Sequence, residues 1–89
     1  MSVLISEILR LKADYPVRLI ALSREAYMYA GEEHVIYEKG DEVGIEAIDF
    51  SASSLRMCNK NRDSIFEIRW DSRKGGALTT DWRIKPKDL

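Results

Sequence analysis

The chain has little of what catalysis and metal binding usually require. Its 89 residues include one cysteine, Cys58, and one histidine, His34. A single cysteine excludes an intrachain disulfide and makes a reducing compartment the expectation. His34 has only Glu32 and Glu33 beside it and lacks a second histidine or cysteine at ligand spacing. Nothing in the sequence pairs Cys58 with a base, so we expect no enzyme activity, no metal and no cofactor.

Long hydrophobic runs are also lacking. The longest apolar stretches are a few residues, whereas a membrane-spanning helix needs about 20. The N-terminus has no basic segment followed by an apolar core, so no signal peptide is predicted. An apolar share of 45% and a charged share of 33% are typical of a globular protein. We therefore expect a cytoplasmic protein that does not bind membranes and forms a single domain over residues 1–89.

The charges are almost balanced in number but segregated along the chain. The formal net charge is -1. Residues 24–49 carry eight acids against two bases, a net of -6, whereas residues 50–89 carry nine bases against five acids, a net of +4. Such polarity predicts one face of each sign, which steers encounters with partners and has little influence on the choice of fold.

An amphipathic helix is predicted over residues 2–15, capped by Ser2 and ended by Pro16. Its apolar residues recur at helical spacing and would pack on a sheet; they are Leu4, Ile5, Ile8, Leu9, Leu11 and Tyr15. Residues 17–22 fit a central strand. Residues 23–34 fit either a short helix that ends near Gly31 or a strand around residues 26–29.

Two further segments, 35–38 and 43–50, flank a turn at 39–42 and predict a β-hairpin. In its second strand Val43, Ile45 and Ala47 would share one face, and Glu46, Ile48 and Phe50 the other. Residues 51–54 are expected to be a crossover between sheet segments.

The last part of the chain predicts a three-stranded antiparallel meander over residues 55–58, 65–70 and 78–84. Each of the last two strands alternates apolar and polar residues, so one face is covered. Trp70 and Trp82 would be cross-strand neighbours on that covered face. The predicted fold class is therefore α+β, with one N-terminal helix packed on an antiparallel, meander-rich sheet of about five strands.

The acidic half of the chain contains tyrosines, and tyrosines surrounded by carboxylates are typical of protein interfaces. We predict an acidic partner-binding face. The alternative is that the tyrosines complete the core and the acids are simply solvated. The candidate residues are Tyr27, Tyr29, Glu32, Glu33, Tyr37, Glu42, Glu46 and Asp49.

A basic face on the meander is the alternative site, formed by Arg56, Arg69 and Arg83. Acids between these arginines favour cross-strand ion pairs on a solvated face. The other interpretation is a contact site for phosphates or an acidic protein. No exposed aromatic platform is evident for nucleic-acid bases, because the large aromatic residues of the meander are needed inside.

Two stretches resemble a known group of proteins. Residues 9–17 read Leu-Arg-Leu-Lys-Ala-Asp-Tyr-Pro-Val, and residues 81–86 read Asp-Trp-Arg-Ile-Lys-Pro. Both resemble small accessory proteins of tailed phages and prophages, over about a sixth of the chain. The resemblance implies a non-enzymatic modulator that binds and inhibits a host protein, for example a defence nuclease, as anti-CRISPR and anti-restriction proteins do. The alternative is a nucleic-acid-associated accessory domain that uses the basic half, and a homodimer remains open.

Overall fold

The computed structural model describes residues 2–87, which form one α-helix and eight β-strands and confirm the predicted α+β class. The elements are α1 (Ile5–Lys12), β1 (Arg18–Ala21), β2 (Glu25–Tyr29), β3 (Glu32–Tyr37), β4 (Glu42–Asp49), β5 (Ser54–Asn59), β6 (Ser64–Asp71), a short 3-10 turn (Ser72–Lys74), β7 (Ala77–Leu78) and β8 (Trp82–Ile84).

Six strands form one antiparallel sheet in the order β7-β6-β5-β4-β1-β8, and β2 pairs only with β3 in a separate hairpin. The large sheet is strongly curled. Phe66 in β6 stacks on Trp82 in β8 with ring centroids 6.1 Å apart, although three strands lie between β6 and β8 in the sheet order. Curling of this kind encloses a core on the inner face of the sheet.

The helix begins at Ile5, so the prediction of a start at Ser2 was wrong. The Glu7 carboxylate accepts the N–H of Leu4 at 3.3 Å, and the Gly76 carbonyl accepts the N–H of Ile5 at 2.9 Å. Gly76 has a φ of 82°, and a Cβ there would lie 2.7 Å from Ile5 Cγ2. Glycine is therefore required where this loop meets the helix start.

One cluster of buried side chains joins the helix to the sheet. Ile8 of the helix is fully buried, whereas Leu9, predicted to pack inward, is 38% exposed. The buried apolar residues are Val3, Ile8, Val17, Leu19, Ala21, Tyr37, Val43, Leu55, Met57, Ile68, Trp70, Leu78 and Trp82.

The predicted hairpin between residues 35–38 and 43–50 is not formed. The strand β3 pairs with β2 through the two-residue loop Ala30-Gly31, whose φ values of 52° and 79° suit a type I′ turn. The loop at residues 38–41 instead bonds to β1, because Ala21 accepts the N–H of Gly40 at 2.7 Å and donates to the Asp41 carbonyl at 2.9 Å. These bonds direct β4 into the large sheet, between β1 and β5.

An irregularity in β4 changes which of its residues face the core. The register with β5 shifts between Ile45 and Ala47, as at a β-bulge. Ile48 therefore packs against the core and Ala47 is exposed, the reverse of the predicted alternation. The predicted crossover at residues 51–54 is a tight connection between the paired strands β4 and β5, in which the Asp49 carboxylate accepts the N–H of Ala52 at 3.1 Å.

The segment predicted as the third strand of the meander, residues 78–84, is divided between two short strands, which lie at opposite edges of the sheet. Its first part, β7, pairs with β6 and places Leu78 opposite Trp70; its second part, β8, pairs with β1 and places Ala21 opposite Trp82. Trp70 and Trp82 are both buried, at 8% and 2% exposure, but they are not cross-strand neighbours. Curling of the sheet brings both inside without pairing their strands.

Replacing Trp82 with alanine tests the role of the curled sheet. The Trp82 ring, on the edge strand β8, contacts Tyr37 of β3 and Phe66 of β6. We therefore expect Trp82→Ala to lower the free energy of unfolding by about 3–5 kcal/mol in urea titrations. Tyr29→Ala, which truncates a 69% exposed ring, is the control and should be nearly neutral. Equal midpoints for the two variants would show that the contact does not hold the sheet together.

Candidate functional site

The hairpin of β2 and β3, residues 25–37, is called the arm. It presents three consecutive large side chains to solvent: Tyr27 is 53% exposed, Met28 66% and Tyr29 69%. Adjacent exposed side chains of this size are unusual on a monomer, because each leaves apolar area in water. The arm is therefore the strongest candidate for a contact surface.

His34 orders the tyrosines on one face of the arm. Tyr27 lies opposite His34 in the register, and their rings stack with centroids 5.2 Å apart and an interplanar angle of 18°. Tyr29 meets the same imidazole edge-on at 6.1 Å. Among the described residues 2–87 no group of three or more histidine, cysteine or acidic side chains could hold a metal ion. The observed contacts of His34 position two aromatic rings.

The base of the arm is fixed to the core by an aromatic side chain. Tyr37, at the end of β3, is 4% exposed, and its ring lies 5.2 Å from Phe66 and 4.7 Å from Trp82. Burial raises the pKa of the Tyr37 hydroxyl, and the charge of Glu25 adds to the rise. Tyr37 was predicted to bind a partner, but its burial makes it a core residue. For Tyr37 the alternative interpretation, that the tyrosines complete the core, is therefore the one that the structure supports.

A polar network satisfies the backbone at the same place. The Ile36 carbonyl accepts Asn59 Nδ2 at 3.2 Å and Ser64 Oγ at 2.8 Å, and Asn59 is fully buried. Asn59 Nδ2 also donates to Asp41 Oδ2 at 3.0 Å, and Arg62 Nε donates to that oxygen at 2.6 Å. Bonds to buried polar groups are costly to lose, so the network holds the arm in one orientation.

Beyond its base the arm stands clear of the sheet. A groove of about 450 Å³ separates it from the turn after β5, with Tyr27, Glu33 and His34 on one side and Asn61 and Arg62 on the other. A separate cavity of about 610 Å³ lies between residues 2–4 and β8 and includes none of the arm.

Of the five acids predicted for the acidic face, two lie on the arm with the exposed tyrosines and three lie on the large sheet. Glu32 and Glu33 lie on the arm itself, and Glu33 is paired with Arg24. The other three lie on β4 and have partners inside the chain. Glu42 is 3.1 Å from Lys85 Nζ and 3.5 Å from Arg18 Nε, Glu46 is 3.4 Å from Arg56 Nε, and Asp49 accepts the Ser51 hydroxyl at 2.6 Å.

The three predicted basic residues do not form a row. Arg56 in β5 and Arg69 in β6 lie on neighbouring strands, but Arg83 is in β8 at the opposite edge of the sheet. Arg56 is also paired with Glu46. The structure therefore distributes positive charge over the fold and joins part of it to acids from the other half of the sequence.

Sequence reasoning missed Met28, whose exposure is second only to that of Tyr29 among the large hydrophobic side chains of residues 2–87. The available signal was the run Tyr27-Met28-Tyr29 directly before the Ala-Gly turn, which places large residues on both faces of a short strand.

Comparison with protein families, curated proteins and solved structures gives no match to this chain. No helix within residues 2–87 combines the length and hydropathy that crossing a bilayer requires.

The network at the base of the arm predicts a specific pH dependence. The hydrogen bond from Arg62, together with those from Glu38 N–H and Asn59, lowers the pKa of Asp41 from 3.8 to about 2. A lowered pKa stabilises the fold at pH values above 3.8, and this stabilisation is lost as the pH falls through about 2. We expect Asp41→Asn to lower the free energy of unfolding by about 1–2 kcal/mol at neutral pH.

Urea unfolding between pH 7 and pH 2 measures this effect. The difference between wild type and Asp41→Asn should shrink as the pH falls from 4 towards 2. Asp63→Asn, in the nearby turn and with a backbone that asparagine tolerates at φ 51°, is the matched control. A difference that stays constant with pH would show that ionised Asp41 does not stabilise the fold.

The intramolecular partners of the β4 acids lead to a second expectation. Reversing Glu42, Glu46 and Asp49 to lysine removes two ion-pair centres and the side-chain bonds of the β4–β5 turn. We expect the melting temperature to fall by several degrees, whereas Glu32→Lys on the arm should change it little. An unchanged melting temperature in the triple variant would show that these acids are simply solvated.

Proposed function

We propose that this protein is a non-enzymatic modulator that binds a host protein through the arm. The single observation that carries the proposal is the exposure of Tyr27, Met28 and Tyr29 on a hairpin whose base is buried. Aromatic residues and methionine are enriched in the centres of protein interfaces, where a few such side chains supply most of the binding energy.

The arm is ordered before it binds. Tyr27 and Tyr29 both contact the His34 ring, and Tyr37 fixes the strand that carries His34. Side chains that are already held in place lose less conformational entropy on association than free ones. This ordering favours binding, because it holds two aromatic rings in place at the surface before a partner arrives.

The charge of the arm favours a basic partner surface. Residues 24–38 carry four glutamates and one arginine, Arg24, a net of -3. Opposite charge on a partner raises the association rate and excludes acidic competitors. Together with the resemblance to phage accessory proteins, this charge supports a cytoplasmic inhibitor of a host defence nuclease, whose nucleic-acid groove is basic.

The alternative function, association with nucleic acid, has less support. Arg56, Arg62 and Lys85 are each paired with an acid of the same chain, so they offer fewer free contacts to phosphates. Binding to arbitrary DNA that weakens steeply with salt would reverse this preference.

Capture of the partner from a host lysate, with identification by mass spectrometry, tests the proposal. The captured partner is then titrated with wild type and with a variant carrying Tyr27→Ser, Met28→Ser and Tyr29→Ser. We expect at least a roughly hundredfold loss of affinity, as for removal of a cluster of interface anchors.

The matched control carries Phe50→Ser and Ile65→Ser, which remove apolar side chains that are 64% and 57% exposed outside the arm. This control should bind like wild type. Equal affinity of the arm variant and wild type, with both folded, would exclude the arm as the contact surface.

A further inference from the structure

The outer edge of β2 has backbone groups without a neighbouring strand. Within residues 2–87, β2 pairs with β3 and with no other strand. In a hairpin with a two-residue loop the closing pair is hydrogen-bonded, which here is Tyr29 with Glu32, and the pairs then alternate along the ladder. Met28 therefore belongs to a pair that is not hydrogen-bonded, and its N–H and C=O point away from β3.

The same alternation applies to Ala26, two residues before Met28. None of the backbone hydrogen bonds in the loops and turns of the described chain involves either residue. The open edge thus presents the backbone donors and acceptors of Ala26 and Met28. The exposed side chains of Tyr27 and Tyr29 lie beside them.

This edge lacks the features that usually prevent strand pairing. Exposed edges are normally short, charged, interrupted by proline or covered. The edge strand β7 has two residues and is covered by the N-terminal segment, since Leu78 donates to the Val3 carbonyl at 2.9 Å. The other edge, β8, has three residues, one of them Arg83. In contrast, β2 has five residues without proline, and only the first of them, Glu25, is charged.

We propose that the arm binds its partner by strand addition, in which an extended basic segment of the partner pairs with Ala26 and Met28 at the outer edge of β2. The inference rests on the proposed function and specifies how the arm binds. Backbone hydrogen bonds along the edge supply affinity, and the alternating side chains beside it supply specificity.

Charge selects a basic segment over a second copy of this chain. Glu25 lies in β2, and Glu32 and Glu33 lie opposite Tyr29 and Met28 in the register. An added strand therefore lies next to Glu25, with Glu32 and Glu33 on the far side of β2, and the net charge of -3 on residues 24–38 favours lysine or arginine side chains in it. Two arms placed edge to edge would bring a net charge of -3 against another of -3.

A proline substitution separates strand addition from side-chain contact. Met28→Pro removes the outward N–H and leaves the bonds between β2 and β3 intact, because proline is tolerated on edge strands where its missing donor faces solvent. Met28→Val is the matched control, since it truncates the same side chain but keeps the N–H. The Tyr27–His34 contact, followed by NMR, reports that the arm is still formed in both variants.

The probes are a capped peptide of alternating lysine and valine and its glutamate–valine counterpart. We expect the lysine peptide to slow hydrogen exchange at the Ala26 and Met28 amides of the full chain, and the glutamate peptide to have no effect. The captured partner should bind Met28→Pro at least about tenfold more weakly than Met28→Val, whose affinity is the reference because both variants lose the Met28 side chain.

Each contrary result has a distinct meaning. Equal partner affinity of Met28→Pro and Met28→Val would overturn strand addition, while loss of binding in the triple serine variant would leave the proposed function intact. No effect of the lysine peptide on the Ala26 and Met28 amides would overturn the basic segment as the occupant. A wild-type dimer in sedimentation experiments that Met28→Pro abolishes would assign the edge to a second copy.

Discussion

The contact among Tyr37, Phe66 and Trp82 joins parts of the chain that no backbone ladder connects. Their strands, β3, β6 and β8, share no ladder with one another, yet the three ring centroids lie 4.7–6.1 Å apart. Such aromatic pairs contribute about 0.5–1.5 kcal/mol each beyond the area they bury. The Phe66–Trp82 contact bridges the curl of the sheet, and Tyr37 attaches the arm to it. The orientation of the exposed tyrosines therefore depends on a buried one.

Burying the end of β3 also imposes a polar requirement. The Ile36 carbonyl precedes the buried Tyr37 at a half-buried position, and leaving it unpaired there would cost up to about 1–3 kcal/mol. Asn59 and Ser64 supply the donors, and Asp41 engages Asn59 and Arg62 in turn. Within residues 2–87 Asn59 Oδ1 has no hydrogen-bond partner, so the network satisfies the Ile36 carbonyl but not every buried atom of Asn59. The arm is thus held by an apolar and a polar contact at one point, which gives it a defined direction without covering its outer strand.

The sequence predicted the fold class and most strand positions, since these depend on local alternation, but it could not predict the pairings. Residues 39–42 have the composition of a hairpin turn, yet their backbone bonds to Ala21, a contact distant in sequence. Tyr27, Tyr29 and Tyr37 are alike in composition and neighbourhood; only the tertiary contact with Trp82 makes Tyr37 a core residue. The bulge in β4 gave no local signal either, and it reversed the faces of Ala47 and Ile48.

Segregation of charge along the sequence is carried over to the surface of this fold only on the arm. Antiparallel pairing and the return of the chain in β8 bring acids of the first half next to bases of the second, as in Glu46 with Arg56 and Glu42 with Lys85. These pairs cancel charge on the sheet, whereas the arm, which pairs with no strand of that sheet, keeps its excess of glutamates. Exposed apolar side chains, an open strand edge and negative charge therefore coincide on one hairpin, because the arm stays outside the strand pairing that brings opposite charges together on the sheet.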